Sequence, residues 1–111
     1  MHTSGVIRSM MAKNTSTEQF FNHVAKCIEG QLKEWNPAYE VLLLKLKDYL
    51  FIVKDDNQDF QVTIAEHEAH SLQNTSPYSL DKKIWRELEQ SGLQTFEGPG
   101  NYLSYVYGRY E

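Results

Sequence analysis

The stretch that decides the fold is YEVLLLKLKDYLFIVKDDNQDFQVTI, residues 39–64. Its second half contains two runs of alternating apolar side chains, over 49–54 and 59–64, joined by a short acidic and amide-rich segment. Two alternating runs joined by a short polar loop are typical of a β-hairpin. The aromatic and β-branched residues of the first run also favour a pleated surface. We therefore predict a hairpin that pairs 49–54 with 59–64.

The first half of the same stretch is compatible with two structures. As a strand over 40–46, it would place Leu42, Leu44 and Leu46 on one face. As a helix with Asn36 as its cap and Pro37 at its first position, it would present an equally good apolar stripe over 39–53. Periodicity alone does not separate the two. The strand is our prediction, and the helix is kept as the alternative.

Helical periodicity precedes the hairpin. A capping box, formed by Thr15 with Glu18 or by Ser16 with Gln19, marks the start of a helix over about 16–35. Its apolar stripe consists of Phe20, Phe21, Val24, Ala25, Ile28 and Leu32. These residues recur at helical spacing, so they are predicted to face the core.

Two further helices are predicted after the hairpin, a short one over 65–74 and a longer one within 75–93. Gly92 follows the longer helix where a left-handed C-terminal cap belongs. The tail beyond Gly100 is dense in tyrosine, which favours a strand. The order of helix, strands, two helices and strand predicts a small α+β domain with an antiparallel sheet of about three to four strands.

Residues 1–14 lack periodicity, and they are expected to form a flexible N-terminal leader, with Met10 and Met11 as alternative translation starts. Residues 15–111 are expected to form a single domain, since 111 residues suit one core. No apolar run approaches the roughly 20 residues that cross a bilayer. The first ten residues also lack the apolar segment of a secretory signal. Membrane partners are therefore not expected.

Charge and cysteine usage indicate the class of partner and the compartment. The chain has 11 Lys and Arg against 15 Asp and Glu, a net charge of −4. Nucleic-acid binding normally needs a basic face, so it is not expected. The single cysteine, Cys27, excludes an internal disulfide and favours the cytoplasm. Its apolar neighbours indicate a core residue rather than a nucleophile.

The acidic segment 55–66 resembles an EF-hand calcium loop. Asp55, Asn57 and Asp59 take its first, third and fifth places, and Glu66 takes the twelfth. Phe60 occupies the sixth place, where the loop needs glycine for a sharp turn. The competing interpretation is an acidic hairpin turn with Phe60 in the core, and this is the one we predict.

His67 and His70 lie three residues apart on the short predicted helix and could share a face with Glu66. Two imidazoles and a carboxylate are able to hold a divalent metal. The His-Glu-x-x-His zinc motif is missing, however, and no further ligand is identifiable. A metal-binding protein or small metal-dependent enzyme is therefore the alternative function, and no cofactor is expected in the main one.

Catalytic motifs give little support to an enzyme, because the sequence contains neither GxSxG nor a glycine-rich phosphate loop. The remaining candidates are four tyrosines of the predicted terminal strand and three acidic residues of the hairpin. A strand with apolar side chains on both faces must be covered on both, and tyrosine is common at interfaces. We therefore expect a non-catalytic interaction or regulatory module (an inhibitor, immunity-type protein or subunit) that binds a protein partner or a second copy of itself. The expected contact residues are Tyr102, Tyr105, Tyr107 and Tyr110, with Asp55, Asp56 and Asp59 as an acidic rim that attracts a basic partner.

Overall fold

A computed structural model describes residues 5–96 and 102–108 of the chain. Over these residues the chain forms an α+β fold with an antiparallel sheet in the order β1-β2-β3. The elements, in chain order, are α1 (Gly5–Asn14), α2 (Thr17–Trp35), β1 (Glu40–Lys45), β2 (Tyr49–Lys54), β3 (Asp59–Ile64), α3 (Glu66–Gln73), α4 (Ser79–Gln90) and α5 (Tyr102–Val106).

The hairpin predicted from the sequence is confirmed, with β2 paired to β3 over the expected residues. The strand at 40–46 is confirmed as β1, which pairs with β2 so that Leu43 lies opposite Phe51. The helical alternative for 39–53 is therefore wrong. Strand pairing decides the ambiguity, because β2 gives β1 a neighbour whose side chains match its alternation.

The inner face of the sheet packs against the helices and forms the core. Phe21 of α2 stacks on Tyr49 of β2 with ring centroids 4.7 Å apart. The buried side chains of this face come from β2 and β3, and they are Tyr49, Phe51, Val53, Phe60, Val62 and Ile64. Along both strands these buried residues alternate with less buried ones, as expected for a sheet that is covered on one face.

The helix ends follow the sequence signals. The Ser16 hydroxyl accepts a hydrogen bond from the Gln19 amide, and the Gln19 side chain accepts one from the Ser16 amide, both at 3.1 Å. This capping box marks the start of α2, so the N-cap residue is Ser16 rather than Thr15. After α4, Gly92 adopts a φ of 106°, and the Leu93 amide donates to the Leu88 carbonyl at 3.0 Å. The predicted glycine cap is thereby confirmed as a Schellman turn.

The N-terminal segment differs from the expected flexible leader, because residues 5–14 form α1. Its Arg8 is fully buried in the domain. Met11 and Ala12 of α1 pack against the core, but these two adjacent, partly buried side chains do not make a stripe at helical spacing, and this is why the segment gave no periodic signal. A buried charged contact, rather than hydrophobic burial alone, attaches this helix.

The predicted C-terminal strand is wrong, because Tyr102–Val106 forms the short helix α5. Tyr102, Leu103 and Val106 recur at helical spacing, and all three are buried. Helical backbone lets all three reach the core from one side, whereas a strand would divide them between two faces. Tyr110 lies outside the described residues.

Candidate interaction surface

The outer face of the sheet is the side opposite the helices, and it carries several exposed leucines. The side chains of Leu42 and Leu44 in β1 are 46% and 42% exposed, and Leu46, just after the strand, is 68% exposed. In the pairing of β1 with β2, Leu42 lies opposite Ile52 and Leu44 opposite Leu50. These four side chains form an apolar block across two strands, which Leu46 extends.

The third strand contributes polar residues to the same face. Gln61 lies opposite Ile52, and Thr63 lies opposite Leu50. Polar residues are what a solvent-facing sheet surface normally carries. The apolar block is therefore confined to the β1 side of the outer face. Contiguous exposed apolar patches of this kind commonly mark interaction sites.

One end of the outer face is acidic. Glu40, Lys54 and Asp59 form a cross-strand row beyond the leucines, so one lysine lies between two carboxylates. Asp56 is exposed in the adjoining β2–β3 turn, and Asp55 is partly buried there. The predicted acidic rim residues thus lie together, next to the apolar block.

The same turn excludes the arrangement of an EF-hand loop. Asp55 Oδ1 accepts hydrogen bonds from the amides of Asn57 and Gln58, at 2.7 and 2.8 Å, which closes a tight hairpin turn. Phe60 is buried in the core, as the hairpin interpretation predicts. Strand β3 then carries the chain about 20 Å to Glu66, at roughly 3.3 Å per residue. Among the described residues, no three His, Cys, Asp or Glu side chains come close enough to hold a metal ion.

The two histidines of α3 have separate surroundings. His67 is exposed. His70 Nδ1 lies 3.1 Å from the hydroxyl of Thr17, the first residue of α2, and its Nε2 lies 3.5 Å from the Asn74 amide nitrogen. His70 therefore connects α3 with the start of α2, and the described structure assigns it no metal-binding geometry with Glu66.

The terminal tyrosines do not form a two-sided surface. Tyr102 is buried, donates a hydrogen bond to Asp81 and accepts one from Trp85 Nε1 at 3.3 Å. Tyr105 is half-buried, and the hydroxyl of Tyr107, also half-buried, lies 3.3 Å from a Glu89 carboxylate oxygen. Tyr102 is therefore part of the buried core.

Asp81 also pairs with Arg8, and both side chains are fully buried. The Arg8 guanidinium donates to the Pro77 carbonyl at 3.3 Å and lies 4.7 Å from the centre of the Tyr78 ring. Burial by itself would lower the pKa of Arg8, but the charge and hydrogen bond of Asp81 outweigh it and raise that pKa. Burial, followed by the Asp81 charge, raises the pKa of Tyr102 well above 10.

Our sequence reasoning missed this cluster, although one signal was present. Asp81 lies on the buried stripe of α4, between Leu80 and Ile84. A carboxylate on an apolar stripe needs a partner, since an unpaired buried charge is very costly. Arg8 has no comparable local signal, because nothing in its own segment indicates that it is buried.

Cys27 lies beside this cluster without the features of a nucleophile. Its Sγ is 3.5 Å from His23 Nε2 and 3.6 Å from an Arg8 nitrogen. Burial is the largest influence on this thiol, and it raises the pKa of Cys27. Reactive cysteines have a lowered pKa and partial exposure. The prediction that Cys27 fills the core is consistent with both observations.

The basic residues of α4 line an open groove of about 400 Å³. Lys83 pairs there with Glu87 at 2.6 Å and with Glu68 at 3.7 Å. Lys82 and Arg86 line the groove as well. Two carboxylates thus offset part of the positive charge, so the groove has the mixed character expected of a solvated helix face.

No helix in the described part of the chain is long and apolar enough to cross a membrane. In comparisons with known proteins, no family model, curated protein or solved structure matches this chain significantly.

Proposed function

We propose that this chain is a non-catalytic protein-interaction module that binds a basic protein partner through the outer face of its sheet. An inhibitor, an immunity-type protein or a regulatory subunit would act in this way. The observation that carries the proposal is the row of exposed leucines, Leu42, Leu44 and Leu46, on a face that the helices leave uncovered. Covering these side chains with a partner removes apolar surface from water, which stabilises a complex.

The acidic end of the face supports the choice of a basic partner. Glu40 and Asp59 flank Lys54 across the strands, and Asp55 and Asp56 lie in the adjoining turn. The whole chain carries a net charge of −4. Complementary charge mainly accelerates association and selects the partner. The apolar block would then supply most of the binding energy, with the acidic end fixing the orientation of the partner.

This proposal replaces the tyrosine strand as the contact surface and keeps the acidic rim. Tyr102 is removed from the contact set because it is buried with its hydroxyl bonded to Asp81. We place the protein in the cytoplasm, because a lone cysteine needs no oxidising compartment.

The test compares two double variants of the full chain. Leu42→Thr/Leu44→Thr removes apolar surface while keeping residues that suit a strand. Gln61→Ser/Thr63→Ser, on β3 of the same face, is the matched control. Complexes of the wild type and of each double variant are isolated from the cells in which the chain naturally occurs. The proteins bound in each complex are then quantified by mass spectrometry.

We expect a basic protein that binds the wild type and the control but is lost with the leucine variant. Circular dichroism should give the same spectrum for all three proteins. Retention of every bound protein by the leucine variant would contradict the proposal, as would the absence of any protein specific to the wild type.

A further inference from the structure

Strand β1, which carries the exposed leucines of the outer face, also forms one edge of the sheet. Among residues 5–96 and 102–108, the sheet order leaves β1 paired on one side only, with β2. Edge strands present unpaired backbone N–H and C=O groups, and proteins usually protect them with proline, bulges or inward-pointing charges. The strand sequence EVLLLK contains no proline, and its register with β2 is continuous over six residues without a bulge.

The lysine of this strand does not protect the edge. Lys45 Nζ donates to the carbonyls of Leu46 and Lys47, at 3.1 and 3.2 Å, and pairs with Glu66 at 3.2 Å. Its charge is therefore engaged beyond the end of the strand. The other edge strand, β3, has exposed polar residues at Asp59, Gln61 and Thr63, which discourage association. The two edges thus differ, and β1 is the one suited to pairing.

We propose that β1 pairs antiparallel with β1 of a second copy, so that two chains share a six-stranded sheet across a two-fold axis. The pairing uses the backbone groups of the edge and leaves the outer faces open. It deepens the proposed function, on which its biological purpose rests, because it would join two apolar blocks into one docking surface.

The side-chain pattern of β1 fits a second copy of itself. Residues directly opposite in an antiparallel pair share a face of the sheet. A two-fold axis at Leu42 or at Leu43 therefore keeps every outer side chain on the outer face. The axis at Leu42 places Leu42 opposite its own copy and Val41 opposite Leu43. The axis at Leu43 places Leu42 opposite Leu44. Either register brings together apolar side chains that are partly exposed in the single chain.

The charges of β1 favour the antiparallel orientation. Its two charged residues, Glu40 and Lys45, lie at opposite ends of the strand. In the antiparallel pair, the Glu40 end of one copy lies beside the Lys45 end of the other. A parallel pair would instead set like charges side by side, which is destabilising. The antiparallel orientation therefore avoids this repulsion, and the apolar pattern of the edge is complementary to a second copy of itself.

The paired sheets would form one extended platform. The outer leucines of both copies would be contiguous about the axis, and the two acidic hairpin turns would lie at diagonally opposite corners. A symmetric or elongated basic partner would then contact both copies, which raises its avidity without any new contact type.

The first test is the mass of the full chain in solution, by sedimentation velocity at tens of micromolar. The chain has a mass of 13.0 kDa, and the pairing predicts twice that value. Leu42→Lys and Leu42→Asp, each alone, bring like charges together in both registers, directly opposite with the axis at Leu42 and on the diagonal, roughly 7–8 Å apart, with the axis at Leu43. Each should weaken the dimer about tenfold or more. An equimolar mixture of the two variants should restore the dimer, because opposite charges then face each other.

A second measurement separates edge pairing from stacking of two outer faces. In a single chain, the amides of β1 that point away from β2 exchange rapidly with solvent, whereas edge pairing protects the amides on both sides of the strand. Wild-type protein of single-chain mass overturns the proposal. A dimer whose outward β1 amides still exchange rapidly also overturns it.

These outcomes are independent of the partner experiment. A single-chain mass together with partner loss in the leucine variant would refute the pairing and leave the proposed function intact. A dimer whose outward β1 amides are protected from exchange would support the pairing. If no partner specific to the wild type were found at the same time, the proposed function would be refuted and the pairing would stand. Should either Leu42 variant fail to fold, the mass and the amide exchange of the wild type still decide.

Discussion

Arg8 in the first helix and Asp81 in the fourth form an ion pair in which both side chains are completely buried, although 73 residues separate them in sequence. Tyr102 of α5 adds a hydrogen bond to the same carboxylate. One aspartate therefore connects α4 with helices from both ends of the chain. On the other side of α1, Val6 and Met10 are 72% and 58% exposed, so Arg8 is central to the attachment of this helix.

Removing the positive charge should be strongly destabilising. Arg8→Met leaves Asp81 buried without its ionic partner, which costs about 3–5 kcal/mol. Lys13→Met, at an exposed position of the same helix, should stay within about 0.5 kcal/mol of the wild type. Urea unfolding followed by circular dichroism measures both. The double variant Arg8→Met/Asp81→Leu should be more stable than Arg8→Met alone, since it leaves no buried charge. Equal stability of the Arg8 and Lys13 variants would contradict this description.

The Tyr102 hydroxyl should contribute to stability through the same carboxylate. Tyr102→Phe keeps the ring in the core but removes a donor to Asp81, which we expect to cost about 1–3 kcal/mol. Tyr107→Phe is the matched control, because its hydroxyl is exposed and 3.3 Å from Glu89. The difference between the two unfolding free energies is the quantity to compare. If Tyr107→Phe were the more costly of the two, the buried bond between Tyr102 and Asp81 would not be the stronger contribution to stability.

Acid should destabilise the fold through His23. Burial, and then the positive charge of Arg8, lowers the pKa of His23 below its ordinary value of 6.5. The unfolded chain therefore takes up this proton at a higher pH than the folded one does. The contribution of His23 to folding stability is fully present above pH 6.5, and it is lost as the pH falls through the lower pKa that this residue has in the folded chain.

The comparison is between the wild type and His23→Gln, by urea midpoint at pH 7.5 and pH 5.0. Between pH 7.5 and pH 5.0 we expect the urea midpoint to fall less for the variant than for the wild type, because glutamine does not titrate. A drop of the same size in both proteins would assign the acid sensitivity to other groups.

Local sequence signals were sufficient for most of the fold. The 49–54 and 59–64 hairpin, the capping box at Ser16 and the glycine cap at Gly92 all depend on neighbouring residues, and all three are confirmed. Each is decided within a few residues along the chain, where alternation, capping and turn chemistry act. The ambiguous strand at 40–46 was decided by its pairing partner instead.

The errors occurred at the two ends of the chain, where contacts distant in sequence decide the structure. The helix at 5–14 depends on a buried partner in α4, which no local pattern of α1 reveals. The helix at Tyr102–Val106 was mistaken for a strand because tyrosine density favours strands, whereas the spacing of Tyr102, Leu103 and Val106 fits one buried helical face. Leu42, Leu44 and Leu46 were predicted to share one face of a strand, but their exposure follows only from the position of the helices on the opposite side of the sheet.

The claim that the outer face is the docking surface is tested most directly by hydroxyl-radical footprinting of the protein, alone and with the partner that the wild type isolates. We predict that labelling of Leu42, Leu44 and Leu46 falls in the complex, while labelling of Met10, which is exposed on α1, is unchanged. Protection of Met10 with the three leucines labelled as before would contradict the proposal and move the docking surface to the first helix.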